Sequence, residues 1–328
     1  MPQSEMVPSL KEEASHWFGL ALPLAATLLC RTGMMLTDVS VLGLWDSDYL
    51  GAAGVATVFV SLTSVVVWRG LLDAMNTLCG QAYGAKNYAL VGEWMSVGLR
   101  LSTICCLVIG ITWLQGGTIL QPLANISEEE AQRVNTFCRI SLVGLLPFSY
   151  YTGLSNFLST LHIVRPLLYI NFISLLMNFA LNWALVRGLE GWFEGFGFPG
   201  SPAATSATRV MVFFMTLGWI IYSASIDPRS ELGKSWPSSV WSVFCGERWS
   251  KNGTTRNSLY REYLKIAIPI IISVALEEAQ FQVVGLMAAR LGDDEMATHN
   301  AVLQIFFVSS SFLWATAGAT QGKVNIGV

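Results

Sequence analysis

Long apolar runs follow one another along this chain, separated by short polar segments. Each run is roughly 18 to 25 residues, enough to cross the hydrocarbon core of a bilayer as a helix. Eight such runs stand out: about Trp17–Leu44, Leu50–Leu78, Gly92–Leu114, Val134–Leu158, Leu167–Val186, Ala204–Ser225, Tyr263–Arg290 and Ala297–Gly322. The pattern predicts an all-α, polytopic membrane protein. It divides the chain into an N-terminal segment (1–16), a six-helix bundle (17–225), one long polar stretch (226–262) and two further helices (263–328).

Composition agrees. The chain is 53% hydrophobic and only 12% charged, about half the charge of a soluble domain. Lys and Arg in the short connections set the orientation. Lys86, Arg165 and the cluster Arg229, Lys234, Arg248, Lys251, Arg256 and Arg261 all fall on alternate connections, while the other connections are acidic or mixed. This places the N-terminus and the 226–262 linker in the cytoplasm. The sequon at Asn125 then lies outside and the one at Asn252 inside. The polar N-terminus lacks the layout of a cleavable signal, and the first span is expected to be retained.

Two stretches repeat. LALPLAATLL opens span one and IAIPIIISVA opens span seven, each with proline fourth; WDSDYLGAAG and GDDEMATHNA follow at matching distances. Both copies have the same expected orientation, the mark of two parallel bundles related by an axis along the membrane normal. The first copy continues through six spans and the second through two, so the second bundle is expected to be incomplete.

Few residues suit chemistry. There is no paired-histidine zinc motif, nucleophile elbow or phosphate loop, so neither an enzyme, a metal site nor a nucleic-acid partner is expected. The six cysteines form no CxxC framework. An ionisable group deep in a span is costly and marks a cavity or a partner. Asp38 is one, with Arg31 two turns earlier on the same helix face; a cation or proton site and a structural Arg31–Asp38 pair both fit. Asn178 and Asn182, four apart, share a face and suit either cation coordination or interhelical hydrogen bonding. Thr205, Ser206 and Thr208 read as small-residue packing. Arg69 and Asp73, one turn apart, read as a local ion pair. Gly80, Gln81 and Gly84 read as a helix end turning on glycine. Trp68, Trp113, Trp183, Trp219 and Trp314 read as interfacial belt residues. Glu277 and Glu278 interrupt the most apolar stretch; adjacent helical residues point about 100° apart, which predicts separate roles, with Gln282 placed to satisfy Glu278.

GLLDAMNTLCGQAYGAKNY (70–88), FLSTLHIVRP, MNFALNWALV, PGSPAATSATR and IAIPIIISVALEEAQFQ, together with Pro23 and Asp38, resemble the multidrug and toxic compound extrusion (MATE) transporters, eukaryotic branch. The resemblance covers nearly the whole chain and about two thirds of a full-length member. It implies two six-helix bundles around a central cavity, and export of organic cations, xenobiotics or other metabolites in exchange for H+ or Na+, with no other cofactor. It implies ion coupling at Asp38, Asn178, Asn182 and Glu277, substrate binding at Glu277, Glu278 and Gln282, and structural or gating roles for Pro23, Gly80, Gln81, Gly84 and Pro269. A plasma or vacuolar-type membrane follows as its setting. The sequence departs from the family pattern at Asn76, where an acid is usual, at Thr160 and His162, at Asn182 and Gln282, and at Asn325. Asn182 removes one negative charge and favours H+ over Na+. The competing readings are a lipid-precursor flippase of the same superfamily, a heptahelical receptor with an outer N-terminus, and a non-transporting fragment.

Overall fold

A helix forms at each of the eight predicted positions in the computed structural model, which describes residues 10–45, 48–124, 126–189, 191–236, 253–291 and 293–324. Helix α1 is Leu10–Trp45. Helix α2, Asp48–Val65, runs through a π-helical stretch, Val66–Leu71, into α3, Leu72–Gly84. Then come α4 (Tyr88–Trp113), α5 (Gly116–Ala124), α6 (Glu128–Thr160), α7 (Arg165–Asn182, continued by a π turn, Trp183–Arg187) and α8 (Gly200–Ile226). A five-residue α9 (Glu231–Ser235) precedes α10 (Gly253–Leu291) and α11 (Asp293–Val324). Among the described residues there is no strand, only an isolated bridge between Leu189 and Phe193.

Among the described residues five stretches are long and apolar enough to cross a membrane: Trp17–Leu44, Ala52–Gly84, Tyr88–Trp113, Arg165–Arg187 and Gly200–Ile226. Helix α6 falls below that mark because Ser, Thr, Tyr and charged residues interrupt its apolar run; α11 has a shorter apolar stretch, Ile305–Ala317. Ile104, Leu107, Val108 and Ile111 on α4, and Phe214 and Tyr222 on α8, face outward, as lipid-facing residues should.

The main core joins α3, α4, α6, α7, α8 and α10 through Met75, Met95, Leu99, Tyr151, Leu154, Phe157, Ile220 and Tyr263. Asn156 Nδ2 on α6 donates to the Leu72 carbonyl at 3.0 Å and the Tyr263 hydroxyl on α10 donates to the Leu71 carbonyl at 2.8 Å. Side chains thus tie off the backbone where the π stretch meets α3, a place at which the usual helical ladder is disturbed.

Two of the expected belt residues are core instead. Trp113 is fully buried and its Nε1 donates to Thr63 at 2.8 Å; Trp68 is buried against Phe148. Both belong to one core cluster with Val60, Ile109 and Val134, so their position near a span end did not imply exposure.

The turn after α3 also differs from expectation. Its left-handed residue is Lys86 (φ 57°), not glycine. Lys86 N donates to Tyr83 O and Asn87 N to Ala82 O, a Schellman closure with lysine in the place glycine usually takes. His162 (φ 59°) closes α6 in the same way. Lys86→Gly is expected to raise stability by roughly 0.5–1 kcal/mol by relieving the left-handed strain, read as a higher thermal midpoint of the detergent-solubilised chain.

Candidate functional site

The first centre lies between α1, α7 and α8. Asp38 stands opposite two asparagines one turn apart, the amide pair that the i, i+4 spacing predicted to share a face. Asn182 Nδ2 donates to Asp38 Oδ1 at 2.7 Å and Asn178 Nδ2 to the same oxygen at 3.2 Å. The Thr205 hydroxyl donates to Oδ2 at 2.8 Å. Both asparagines are buried, and their side-chain oxygens have no hydrogen-bond partner. The carboxylate has turned both amide nitrogens toward itself and both oxygens away.

Arg209, one turn beyond Thr205, lies close enough for its charge to act on Asp38. Its guanidinium sits 4.9 Å from the Phe148 ring centroid and 5.7 Å from Trp68, within cation–π range. Gly144 leaves room for it: a Cβ there would lie 2.9 Å from Arg209 Cδ. The sequence reading missed Arg209 because it closes a run of small residues that looked like packing. For the same reason Thr205 was assigned to packing, although its neighbours Ser206 and Thr208 do bond backbone carbonyls, of Ile140 and Ala204.

The Arg31–Asp38 pair is not formed. Seven residues of helix separate the two by about 10 Å along the axis. Arg31 instead faces α6, 5.4 Å from the Phe148 centroid and 5.8 Å from Tyr151.

The second centre lies between the π stretch and α10. Arg69 spans two adjacent acids. Its Nη2 lies 3.1 Å from Glu277 Oε2 and its Nη1 3.1 Å from Glu278 Oε1. Trp314 on α11 lies 5.6 Å from the guanidinium carbon. The expected Arg69–Asp73 ion pair is therefore absent. The π stretch takes Arg69 out of α-helical register with Asp73, and two carboxylates across the helix gap replace the single local one. Although the two acids point about 100° apart on α10, a guanidinium offers a fork of donors wide enough to bridge both. Gln282 lies in α10 but its side chain is outside the described residues, as is Asn325.

A glycine brings these helices together. At Gly70, a Cβ would lie 2.6 Å from Ile271 Cγ1 and 2.7 Å from Ile271 Cα. Backbone cannot yield as a side chain can. Gly70→Ala is expected to push α10 off the π stretch, lengthen the Arg69 bridges and cost about 1–3 kcal/mol, measurable as a lower thermal midpoint.

The other candidates stand apart. Pro23 and Pro269 lie inside α1 and α10, each removing a helical hydrogen bond. Gly80 is buried near the end of α3 and lines a cavity with Asn76, Tyr83 and Arg31, while Gln81 faces outward and Gly84 ends the helix.

Residues 23–184, which carry Asp38, the π stretch, Asn178 and Asn182, match the MatE family model. These residues form a MatE domain. The chain is 25% identical over 317 residues to Protein DETOXIFICATION 16 of Arabidopsis thaliana, covering 97% of the chain and 60% of that relative. It is 27% identical over 291 residues to Protein DETOXIFICATION 49 of the same plant, covering 88% and 53%. Its fold superposes on the crystal structure of a eukaryotic MATE transporter, AtDTX14, with a TM-score of 0.78, 21% identity, and 97% and 66% of the two chains covered. It also superposes on an outward-facing multidrug resistance MATE transporter with a TM-score of 0.75, 15% identity, and 93% and 62% covered. The chain spans about 60% or less of the length of these two curated relatives.

Proposed function

We propose that this chain supplies the ion-coupling bundle of a secondary active exporter of xenobiotics or metabolites, driven by H+ antiport through alternating access. The N-terminus faces the cytoplasm in this reading, in a plasma or vacuolar-type membrane. The observation that carries the reading is the set of groups around Asp38.

A proton can be taken up there at small structural cost. With Asp38 ionised, the Thr205 hydroxyl donates to Oδ2. With Asp38 protonated at Oδ2, that O–H donates to Thr205 Oγ1. Thr205 then turns its own hydrogen to the Ser201 carbonyl, already 3.2 Å away. Both asparagines keep their bonds to Oδ1, and one hydroxyl rotation absorbs the change. The donor set of one carboxylate, two amides and one hydroxyl is also chemically suited to Na+. Binding that ion would require the two unpartnered amide oxygens to swing inward and both bonds to Oδ1 to break. The geometry thus favours H+.

The second centre supplies the transmission. Protonation of Glu277 or Glu278 removes one arm of the Arg69 bridge between the π stretch and α10, so proton loading and the fit between bundles become linked. Efflux from vesicles, run on this chain and on any longer product that carries it, tests the reading. An imposed pH gradient is expected to drive efflux, a Na+ gradient is not, and Asp38→Asn is expected to abolish the pH-driven component. Equal driving by Na+, or an Asp38→Asn protein that still responds to the pH gradient, would refute proton coupling here.

A further inference from the structure

A cavity of about 170 Å³ opens between α1, α3, α6 and α11. We infer that it receives a small amphipathic organic anion, with the carboxylate seated on Arg31. The inference deepens the exporter reading by naming a class of cargo, and rests on it only for the step of transport.

Charge comes first. Arg31 is the charged side chain on the cavity wall, and no Asp or Glu lines it. Among the described residues Arg31 makes no hydrogen bond or ion pair with protein. Its contacts are with the faces of Phe148 and Tyr151, which leave the guanidinium N–H donors available to a ligand. The two other arginines of this region are engaged differently: Arg69 holds Glu277 and Glu278, and Arg209 acts on Asp38. Asp73 is close enough to act on Arg31 through space, but it stands outside the lining.

The rest of the wall fits the same ligand. Helix α1 presents Leu20, Leu24 and Leu28 on the face that carries Arg31, since these positions recur every third or fourth residue. One wall is therefore apolar and ends in a guanidinium. Across from it, Asn76, Ser155 and Ser159 offer neutral donors. A volume near 170 Å³ equals roughly six water molecules, which suits a compact monocarboxylate rather than a large drug. Asn76, Thr160 and His162 all line this cavity. Asn76 presents a neutral amide there, with no charge to repel an anion.

Benzoate, benzylammonium and benzyl alcohol share a ring and differ in charge, so equilibrium dialysis of the three against the purified chain in lipid nanodiscs, with no gradient, tests the site. Benzoate is expected to bind at least about ten-fold more tightly than benzylammonium. Arg31→Gln is expected to erase that preference. Asn76→Asp leaves Arg31 in place and is expected to weaken benzoate about ten-fold while strengthening benzylammonium; it decides the matter if the Arg31 variant fails to fold. Equal binding of the charged pair, a preference for benzylammonium, or benzoate binding unchanged by Asn76→Asp would overturn the inference. Gradient-driven efflux of benzylammonium but not benzoate would sink the anion and leave the exporter standing. Benzoate binding without any gradient-driven movement would do the reverse.

Discussion

Replacing Asp38 with alanine is expected to lower stability by about 2–4 kcal/mol, whereas Asp38→Asn is expected to stay within about 1 kcal/mol of the parent. Alanine takes the acceptor from two buried amides, those of Asn178 and Asn182, while the Thr205 hydroxyl falls back on the Ser201 carbonyl. The two asparagines are buried, and a buried donor stripped of its partner costs about 1–3 kcal/mol. Arg209 loses its counter-charge in either variant, so the difference between them lies in the hydrogen bonds. Asparagine at 38 keeps the shape and the bonding. Its side-chain oxygen, placed where Oδ1 lies, still accepts from both amides. Its nitrogen, placed where Oδ2 lies, donates to Thr205 Oγ1, and Thr205 turns to the Ser201 carbonyl 3.2 Å away. The asparagine variant thus copies the hydrogen bonding of protonated Asp38 and removes only the ability to ionise. Thermal unfolding of both variants checks this. A protein that loses as much stability with asparagine as with alanine would show that Thr205 cannot make the turn, and the proton-uptake step would fall with it. Thr205→Val adds a second check, because it removes the rotating hydroxyl; with valine at 205 the asparagine variant is expected to lose its advantage over alanine.

Most of the helices were legible because lipid imposes a simple rule: each span must be apolar over about 20 residues and satisfy its own backbone. The shared face of Asn178 and Asn182 was legible too, since i, i+4 geometry is fixed by the helix itself. What stayed hidden depends on registers between helices. The π stretch lies within VVVWRGL, where nothing in the letters signals an extra residue per turn. Without it, Arg69 would stack one turn from Asp73, so a local pair was the natural expectation. Helix α5 is written GGTILQPLA, with Gly-Gly and Pro that read as a loop. Arg209 and Thr205 were obscured by the alanines and serines around them, although an arginine one turn after a threonine in a span is an ionisable group at depth and was open to the same cost argument that selected Asp38. The carboxylate pair at Glu277 and Glu278 stands out in an apolar stretch, but helix-face geometry treats side chains as short rods. A guanidinium reaching from another helix has width, and it joins what the 100° rotation separates.

That width makes a second large effect predictable. Glu277→Gln and Glu278→Gln are each expected to cost little, about 0.5–1 kcal/mol, because the remaining carboxylate still pairs Arg69 and the sites are partly open to solvent: the side chains of Arg69, Glu277 and Glu278 are 37%, 41% and 20% exposed. The double variant is different. It leaves Arg69 against Trp314 with no partner carboxylate from α10, and the π stretch loses its charged tie to that helix. A loss of about 2–3 kcal/mol is expected, more than the two single losses combined, since each single variant is rescued by the acid it keeps. Asp73 offers Arg69 an alternative on its own side of the gap, close enough already for their charges to interact. The double variant is therefore expected to hold Arg69 to α3 and release α10, the arrangement that full protonation of the pair would produce. Distances between spin labels at Thr77 on α3 and Ser273 on α10 report this directly. A broader or longer distribution in the double variant, with single variants close to the parent, is the expected result. Additive losses, or an unchanged label distance in the double variant, would show that Arg69 rests against two independent acids and does not tie the helices together.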